Sequence, residues 1–317
     1  MSENIYDYRG EQDAQFRAAV YAGTIFRLPP TDASLNLIRY CWKVALDEFG
    51  EDPRVVGSLA AATRDRSCTA ASFEQHSSKD SIAAESFAAN SMDMDDNYFR
   101  QVGRLRRRLY GSETCRHAIA KLVEQVGAIP REHVVDPVRS RLIAIDGHLH
   151  AAAASVYYAH RDTWYANPPT QITWWLPLHD VTADHTFEFL PECFSLAVLN
   201  DSEGFDYDRW TGNGPQLKIG WQDASAGLRE NYPRLLESLP GQRRFGFEAS
   251  IGEVIVFSGQ HLHQTRPIES GRARLSIDFR TIHVPDYRKR LGPTNVDNRS
   301  TGDAFVGHLP LVAAGLA

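Results

Sequence analysis

The sequence predicts a mainly β protein with a helical flank at its N-terminus. Three observations support this fold class: helical apolar spacing before residue 130, short aromatic and β-branched runs after it, and no internal repeat or low-complexity linker. Several short strands in series are typical of a β-sandwich or barrel. We therefore expect a single domain over residues 1–317, with a helical flank at 1–130, a β core at 131–192 and 250–290, and a long insert at 193–249.

The helical flank is predicted from two stretches. Over residues 31–49 apolar side chains recur every three or four positions, after a capping residue at Thr31 or Asp32. Residues 98–126 repeat this pattern, and Gly127 follows as a residue suited to end a helix. Both stretches predict amphipathic helices.

Six runs of aromatic and β-branched residues, each bounded by Gly, Pro, Asn or Asp, predict the strands. They cover residues 140–146, 155–162, 171–181, 186–191, 253–258 and 274–284. The insert between them is rich in glycine and polar residues, with one short helix expected near 233–239. Excursions of this length are usually functional, so the insert is expected to cover a bound substrate.

Composition and charge exclude several classes of protein. With 43% hydrophobic and 23% charged residues the chain is ordinary and globular, and its net charge of −6 gives no attraction to nucleic acid. The start lacks a signal-peptide pattern and no apolar run could span a membrane, so we expect a cytoplasmic protein. The cysteines lack zinc-site spacing and are expected to be reduced, buried thiols: Cys41, Cys68, Cys115 and Cys193.

A histidine and a carboxylate two positions apart form the first half of a candidate metal site. In an extended segment such residues face the same side, so His160 and Asp162 point together. About a hundred residues later, the predicted strand at 252–257 leads to His261 and His263, and one of these can supply a third ligand. Two imidazoles and one carboxylate leave three coordination positions open, as in non-heme Fe(II) sites.

A candidate anion site follows on the last predicted strand, where Arg274, Ser276, Asp278 and Arg280 share one face. A guanidinium can grip a carboxylate through two parallel hydrogen bonds, and a hydroxyl two residues on can donate another. Arg274 and Ser276 therefore suit the distal carboxylate of 2-oxoglutarate. Arg280 lies roughly 20 Å further along the strand and is expected to be a structural salt-bridge partner, to Asp278 or to a neighbouring strand.

These motifs, in this order, resemble the iron and 2-oxoglutarate signature of the phytanoyl-CoA dioxygenase-like (PhyH-type) oxygenases, in their bacterial small-molecule branch. The resemblance extends over roughly residues 140–285 and includes HRDTWYANPP from residue 160, QITWWLPL from 171 and SGRARLSIDFR from 270. It implies a double-stranded β-helix, a cupin-like jelly roll with the N-terminal helices packed outside. The family spacing to Arg274 favours His263 over His261 as the third metal ligand, with His160 and Asp162 as the other two.

The resemblance also implies further cosubstrate contacts, at Thr265 and on the predicted strand at 171–181. Gln171, Thr173 and Trp175 share a face of that strand, which favours Trp175 over Trp174 as the indole, although a register shift of one residue would invert this choice. No catalytic residue beyond the metal ligands is implied.

The implied activity is that of an oxygenase that uses Fe(II), 2-oxoglutarate and O2 on a small polar metabolite, in specialised metabolism of the antibiotic type. Hydrogen abstraction from a substrate C–H would lead to hydroxylation or to oxidative ring closure, the latter on a sugar or aminocyclitol. A carboxylate at Asp162 leaves no position for halide, which excludes the halogenase variant. The alternative from another class is a non-redox, cupin-like zinc module or epimerase, which would not need Arg274 and Ser276.

Overall fold

The computed structural model describes residues 4–50, 96–212 and 232–312. The helices in these ranges are α1 (Asp13–Tyr21), α2 (Asp32–Phe49), α3 (Asp96–Tyr110), α4 (Glu113–Gln125), α5 (Tyr207–Gly212) and α6 (Val284–Arg288). The strands are β1 (Ile5–Asp7), β2 (Ile25–Leu28), β3 (His133–Val135), β4 (Arg139–Ile143), β5 (Gln171–Pro177), β6 (Phe187–Phe189), β7 (Val254–Ser258), β8 (His263–Thr265), β9 (Arg274–His283) and β10 (Leu309–Pro310). Short 3-10 turns occur between them.

The strands form one large and one small sheet. The large sheet has the order β1-β2-β7-β5-β9-β3-β10, and β4 also pairs with β9. Its central strands β5, β7 and β9 are buried along their whole length, which explains their near-continuous apolar sequences. The small sheet pairs β6 with β8 and is extended by single bridges from Phe245 to Phe189 and from His160 to His263.

Each face of the large sheet packs against a different layer. On one face Trp174 and Phe279 join a core with the helices, and the Trp42 indole of α2 donates a 2.7 Å hydrogen bond to the Leu178 carbonyl. On the other face the Trp175 ring lies 5.5 Å from the Phe187 ring of the small sheet. The two sheets therefore face each other, and the space between them opens into the candidate site. Closure of the sheets into a barrel stays a prediction.

The helical flank was predicted correctly at α2, where Thr31 caps the helix and Ser34 completes a capping box. The second helical stretch is divided at Gly111 into α3 and α4, and Ser112 caps α4. The prediction of an entirely helical flank was incomplete, because β1 and β2 join the large sheet through β7. These strands have three and four residues, too few for a period to be recognised.

Two predicted elements were wrong. The strand expected at 155–162 is instead a 3-10 turn over Ala151–Tyr157, an extended segment and a second turn over Asp162–Tyr165. The helix expected at 233–239 is absent, because the Leu235 and Leu236 amides bond to Ala159 and Leu199 in other segments. Cys41, Cys115 and Cys193 are buried free thiols. Cys68 and insert residues 213–231 lie outside the described ranges.

None of the helices in the described ranges combines the length and the apolar character that a membrane span needs.

Candidate metal centre

His160, Asp162 and His263 meet between the two sheets. One ligand atom from each lies within 4.8 Å of the other two. The backbones of His160 and His263 pair as a two-residue bridge, with N–O distances of 3.0 Å in both directions, which holds their rings side by side. Extended backbone at Tyr158 and Arg161 turns Asp162 toward the same space. Residues far apart in sequence therefore form one three-point donor set.

Both histidines present the same ring nitrogen to this space. The Nδ1 atoms bond to backbone carbonyls, His160 to Tyr158 at 2.8 Å and His263 to His261 at 3.0 Å. Because a carbonyl can only accept, each Nδ1 carries the proton and each Nε2 offers its lone pair. Burial, and then the neighbouring His263, lower the pKa of His160 to about 3, and burial also lowers the pKa of His263. Both rings are neutral and ready to bind a metal ion.

The Asp162 carboxylate is 2% exposed and held by four hydrogen bonds. Its Oδ2 accepts from Thr173 Oγ1 at 2.7 Å, Gln171 Nε2 at 3.2 Å and Arg280 Nε at 3.2 Å. Its Oδ1 accepts from Arg280 Nη2 at 3.2 Å and lies 3.8 Å from His160 Nε2. With Oδ2 saturated, Oδ1 is the oxygen that faces the histidines.

The charge of Asp162 is set by its neighbours. Burial acts to raise the pKa of this carboxyl, but the charge and the hydrogen bonds of the Arg280 guanidinium outweigh burial and hold the pKa well below its usual range. A permanently ionised carboxylate with two neutral imidazoles is a donor set that suits a divalent first-row metal ion. The residues present therefore fit a metal with open coordination positions.

Arg274 and Ser276 form a second polar feature of the same interior. They are 2% and 0% exposed. Arg274 Nη1 donates to the His185 carbonyl at 3.2 Å, whereas Arg274 Nε and Ser276 Oγ have no hydrogen-bond partner among the described residues. Burial lowers the pKa of Arg274 to about 10, so the guanidinium stays charged at neutral pH. A buried cation and hydroxyl with unused donors fit a ligand carboxylate.

One cavity of about 230 Å³ connects the two features. The metal triad, Arg274, Trp175 and Thr265 all line it. The Arg274 guanidinium lies 6.0 Å from the centre of the Trp175 ring. Trp174 points to the opposite face, where its indole donates to Thr281 Oγ1 at 2.8 Å, as strand parity predicts.

Two residues that were expected to contact the cosubstrate lie behind the cavity surface. Gln171 and Ser276 are completely buried and do not line the cavity. The Gln171 amide supports Asp162, so its visible role is toward the metal ligand. Ser276 lies on the same strand face as Arg274. Their contacts to a cosubstrate stay predictions.

His261 lies apart from the three-residue cluster. Its Nε2 atom is 3.0 Å from the Gly23 carbonyl.

Comparisons with known proteins give only distant likenesses. No family model and no curated protein matches the chain. Among solved structures, AviO1 from Streptomyces viridochromogenes Tue57 is 13% identical over 84% of this chain and 94% of its own, with a TM-score of 0.34. The epimerase SnoN, in complex with Fe3+, alpha ketoglutarate and nogalamycin RO, is 18% identical over 95% and 93%, with a TM-score of 0.37.

EvdO2 from Micromonospora carbonacea var. aurantiaca, complexed with 2-oxoglutarate, is 13% identical over 56% of this chain and 62% of its own, with a TM-score of 0.35. At such identities and TM-scores, these likenesses assign neither an activity nor a substrate to this chain.

Arg280 is a salt-bridge partner, as the sequence predicted, but one of its partners was not expected. It does pair with Asp278, at 3.4 Å, and with Asp136, at 3.1 Å, as expected of a structural salt bridge. It also grips the carboxylate of the candidate metal ligand Asp162. No spacing in the sequence indicates this contact: the pairing of β5 with β9 in the structure places Arg280 directly opposite Thr173, the other close partner of Asp162.

Proposed function

We propose that this protein is an Fe(II)- and 2-oxoglutarate-dependent oxygenase that acts on a small molecule. The observation that carries the proposal is the presence, in one cavity, of a two-histidine, one-carboxylate donor set and a buried arginine with an unused donor. When bound, iron and 2-oxoglutarate would supply the activation of O2 and the oxidation of a substrate C–H bond. A non-redox metal module would not need Arg274 and Ser276 in the same interior.

In this proposal, different side chains bind the metal and the cosubstrate. His160 and His263 would hold the metal through Nε2, and Asp162 through Oδ1, because their other polar atoms are already bonded within the protein. Arg274 would hold the distal carboxylate of the cosubstrate, supported by Ser276. Trp175 would pack against the cosubstrate chain and exclude water, with Thr265 at the same end of the cavity.

The finer reaction that we propose is hydroxylation or oxidative ring closure of a small metabolite in specialised metabolism. Both outcomes begin with removal of the same substrate hydrogen, so they share one site. The long insert supports a substrate-covering role in its described part, since Phe205, Tyr207 and Trp210 line the cavity beyond the metal ligands.

Anaerobic titration tests the proposal. Fe(II) followed by 2-oxoglutarate is expected to produce a visible metal-to-ligand absorption band, and admission of O2 should release succinate. In an Arg274→Ala variant the affinity for 2-oxoglutarate should fall by about 10–100-fold, since a charged bidentate contact of roughly 1.5–3 kcal/mol is lost, while iron binding survives.

Arg116→Ala is the matched control, because Arg116 pairs with Glu113 on the surface of α4, away from the cavity. Tight zinc binding with no absorption band and no succinate would favour the non-redox alternative. Equal 2-oxoglutarate affinity in the Arg274→Ala and control variants would contradict the cosubstrate assignment.

A further inference from the structure

Beyond the metal ligands, one wall of the cavity carries two arginines from β4. Arg139 and Arg141 are two residues apart on this strand and share a face, so their Cα atoms are about 7 Å apart. Arg139 Nη2 pairs with Asp136 at 3.0 Å and Arg141 Nε with Asp278 at 2.7 Å. Their side chains stay 38% and 32% exposed, and both line the cavity. Each guanidinium therefore keeps N–H groups for a ligand.

The two arginines lie at different distances from Arg274. Arg141 interacts electrostatically with His160, His263 and Arg274, so it belongs to the metal end. The β4–β9 register places Arg141 opposite Ser276 and Arg139 opposite Asp278, four residues from Arg274, and Arg139 also interacts electrostatically with Tyr110 and Tyr207. Arg139 thus lies further from Arg274 than Arg141 does.

Another part of the cavity lining is aromatic and forms a series of rings that begins at His160. The Tyr165 ring lies 5.5 Å from the ring of the metal ligand His160, and the Phe205 ring lies 5.5 Å from Tyr165. Trp210 continues the series at 6.1 Å from Phe205 and 5.7 Å from Tyr207, the neighbour of Arg139. A flat or ring-shaped ligand can stack on these rings between the candidate metal centre and Arg139.

The charge of the cavity indicates the sign of such a ligand. Among the described residues, five arginines and three aspartates line it, which gives a net charge of +2 with the histidines left out of the count. A divalent metal and a dianionic cosubstrate cancel each other, so a positive charge remains in the loaded site. The acidic residues in the described part of the insert do not offset it. None of these residues lines the cavity, and Asp201 and Asp206 bond to neighbouring segments.

We propose that the substrate is a ring compound that carries a carboxylate or phosphate group, with the ring on the aromatic part of the cavity lining and the anion at Arg139. The proposal names the substrate class of the oxygenase proposed above, yet binding at Arg139 does not require that the oxidation occur. A guanidinium with free donors favours these anions through charge-assisted hydrogen bonds.

Calorimetry with matched probes tests the inference. Phenyl phosphate is compared with benzyl alcohol, benzoate with benzamide, and inorganic phosphate tests the need for a ring. Titrations use the full-length protein, both metal-free and loaded with Fe(II) and 2-oxoglutarate under nitrogen. We expect each anion to bind at least 10-fold more tightly than its neutral partner, and phenyl phosphate more tightly than phosphate. The stronger of the two anions identifies the group on the substrate.

Variants assign the effect to one residue. Arg139→Gln should remove the preference for anions, Arg139→Lys should restore part of it, and the surface control Arg116→Gln should leave it intact. The Arg139→Gln protein should stay folded, because Asp136 keeps Arg280 as its partner. Equal binding of anionic and neutral probes would overturn the inference, as would an Arg139→Gln variant that keeps the preference, or anion binding that only displaces 2-oxoglutarate.

The titrations also separate the two proposals. If the metal-free protein prefers anions but binds no 2-oxoglutarate with iron, the oxygenase assignment fails and the anion site stands. If iron and 2-oxoglutarate bind but the probes show no preference, only the substrate class fails.

Discussion

Replacement of Arg280 by glutamine is expected to destabilise the metal-free protein more than the metal-loaded protein. Arg280 is 4% exposed and touches three buried carboxylates: Asp162 at 3.2 Å, Asp136 at 3.1 Å and Asp278 at 3.4 Å. Glutamine preserves a polar side chain of similar length but removes the positive charge. The outcome depends on which of the three carboxylates then lacks a cation.

Two of the three carboxylates keep a positively charged partner. Arg139 stays 3.0 Å from Asp136, and Arg141 stays 2.7 Å from Asp278. Asp162 keeps hydrogen bonds from neutral groups but has no other arginine or lysine salt bridge in the described ranges. Removal of one partner from a buried ion pair costs about 3–5 kcal/mol. At about 2 °C per kcal/mol for a large domain, the Tm of the metal-free variant should fall by about 6–10 °C.

A divalent ion in the site places positive charge beside the carboxylate that Arg280 had neutralised, so it should restore at least half of the lost Tm. Scanning calorimetry with a chelator, and again with saturating Mn(II), measures the Tm difference between the variant and the original protein without and with metal. Arg17→Gln is the matched control: Arg17 is buried and pairs with Asp286 at 2.7 Å, outside the cavity, so its deficit should not depend on metal. A deficit in Arg280→Gln that metal leaves unchanged would refute the reasoning.

Two further substitutions probe the supports of the site. In Gly259→Ala the new Cβ would meet Gln171 Nε2 at 2.9 Å and displace this amide from Asp162. Metal binding should weaken about 10-fold, a typical loss for a residue that hydrogen-bonds to a metal ligand. Gly111→Ala, with open space around it, is the control in the metal titration, and equal metal affinities of the two variants would contradict the prediction. Burial lowers the pKa of His179 to about 4 from an unfolded value near 6.5. The unfolded state therefore binds a proton at His179 first, and this residue alone should lower the stability between pH 6.5 and 4 by about 1.4 kcal/mol per pH unit. In urea unfolding, the free energy of unfolding of His179→Gln should fall less over this pH window. A slope against pH equal to that of the original protein would contradict the prediction.

The sequence indicated the candidate metal ligands but not the residues that support them. The pairing of His160 with Asp162 follows from the two-residue period of an extended chain, and the inward position of Trp175 follows from strand parity. Both are local rules that need no knowledge of distant partners. The contact between Arg280 and Asp162 spans 118 residues and depends on how two segments meet, so no period or spacing indicates it.

The same distinction explains β2, which has four residues and pairs with β7 more than two hundred residues later. Short strands owe their existence to the partner sheet, and propensity within them is a weak signal. Asp32–Phe49 could be predicted because its stripe repeats over 18 residues and its cap is local.

The residues of the candidate site are divided between the two sheets, so neither sheet alone carries the complete donor set. His160 and His263 are held by the small sheet through their backbone bridge. Thr173 and Arg280, which fix the third ligand, belong to the large sheet, as does Arg274. A bound metal would therefore link the two sheets at the open end of the cavity. The spacing of the sheets, set by aromatic packing such as Trp175 on Phe187, would then decide both the metal geometry and the reach from metal to Arg274.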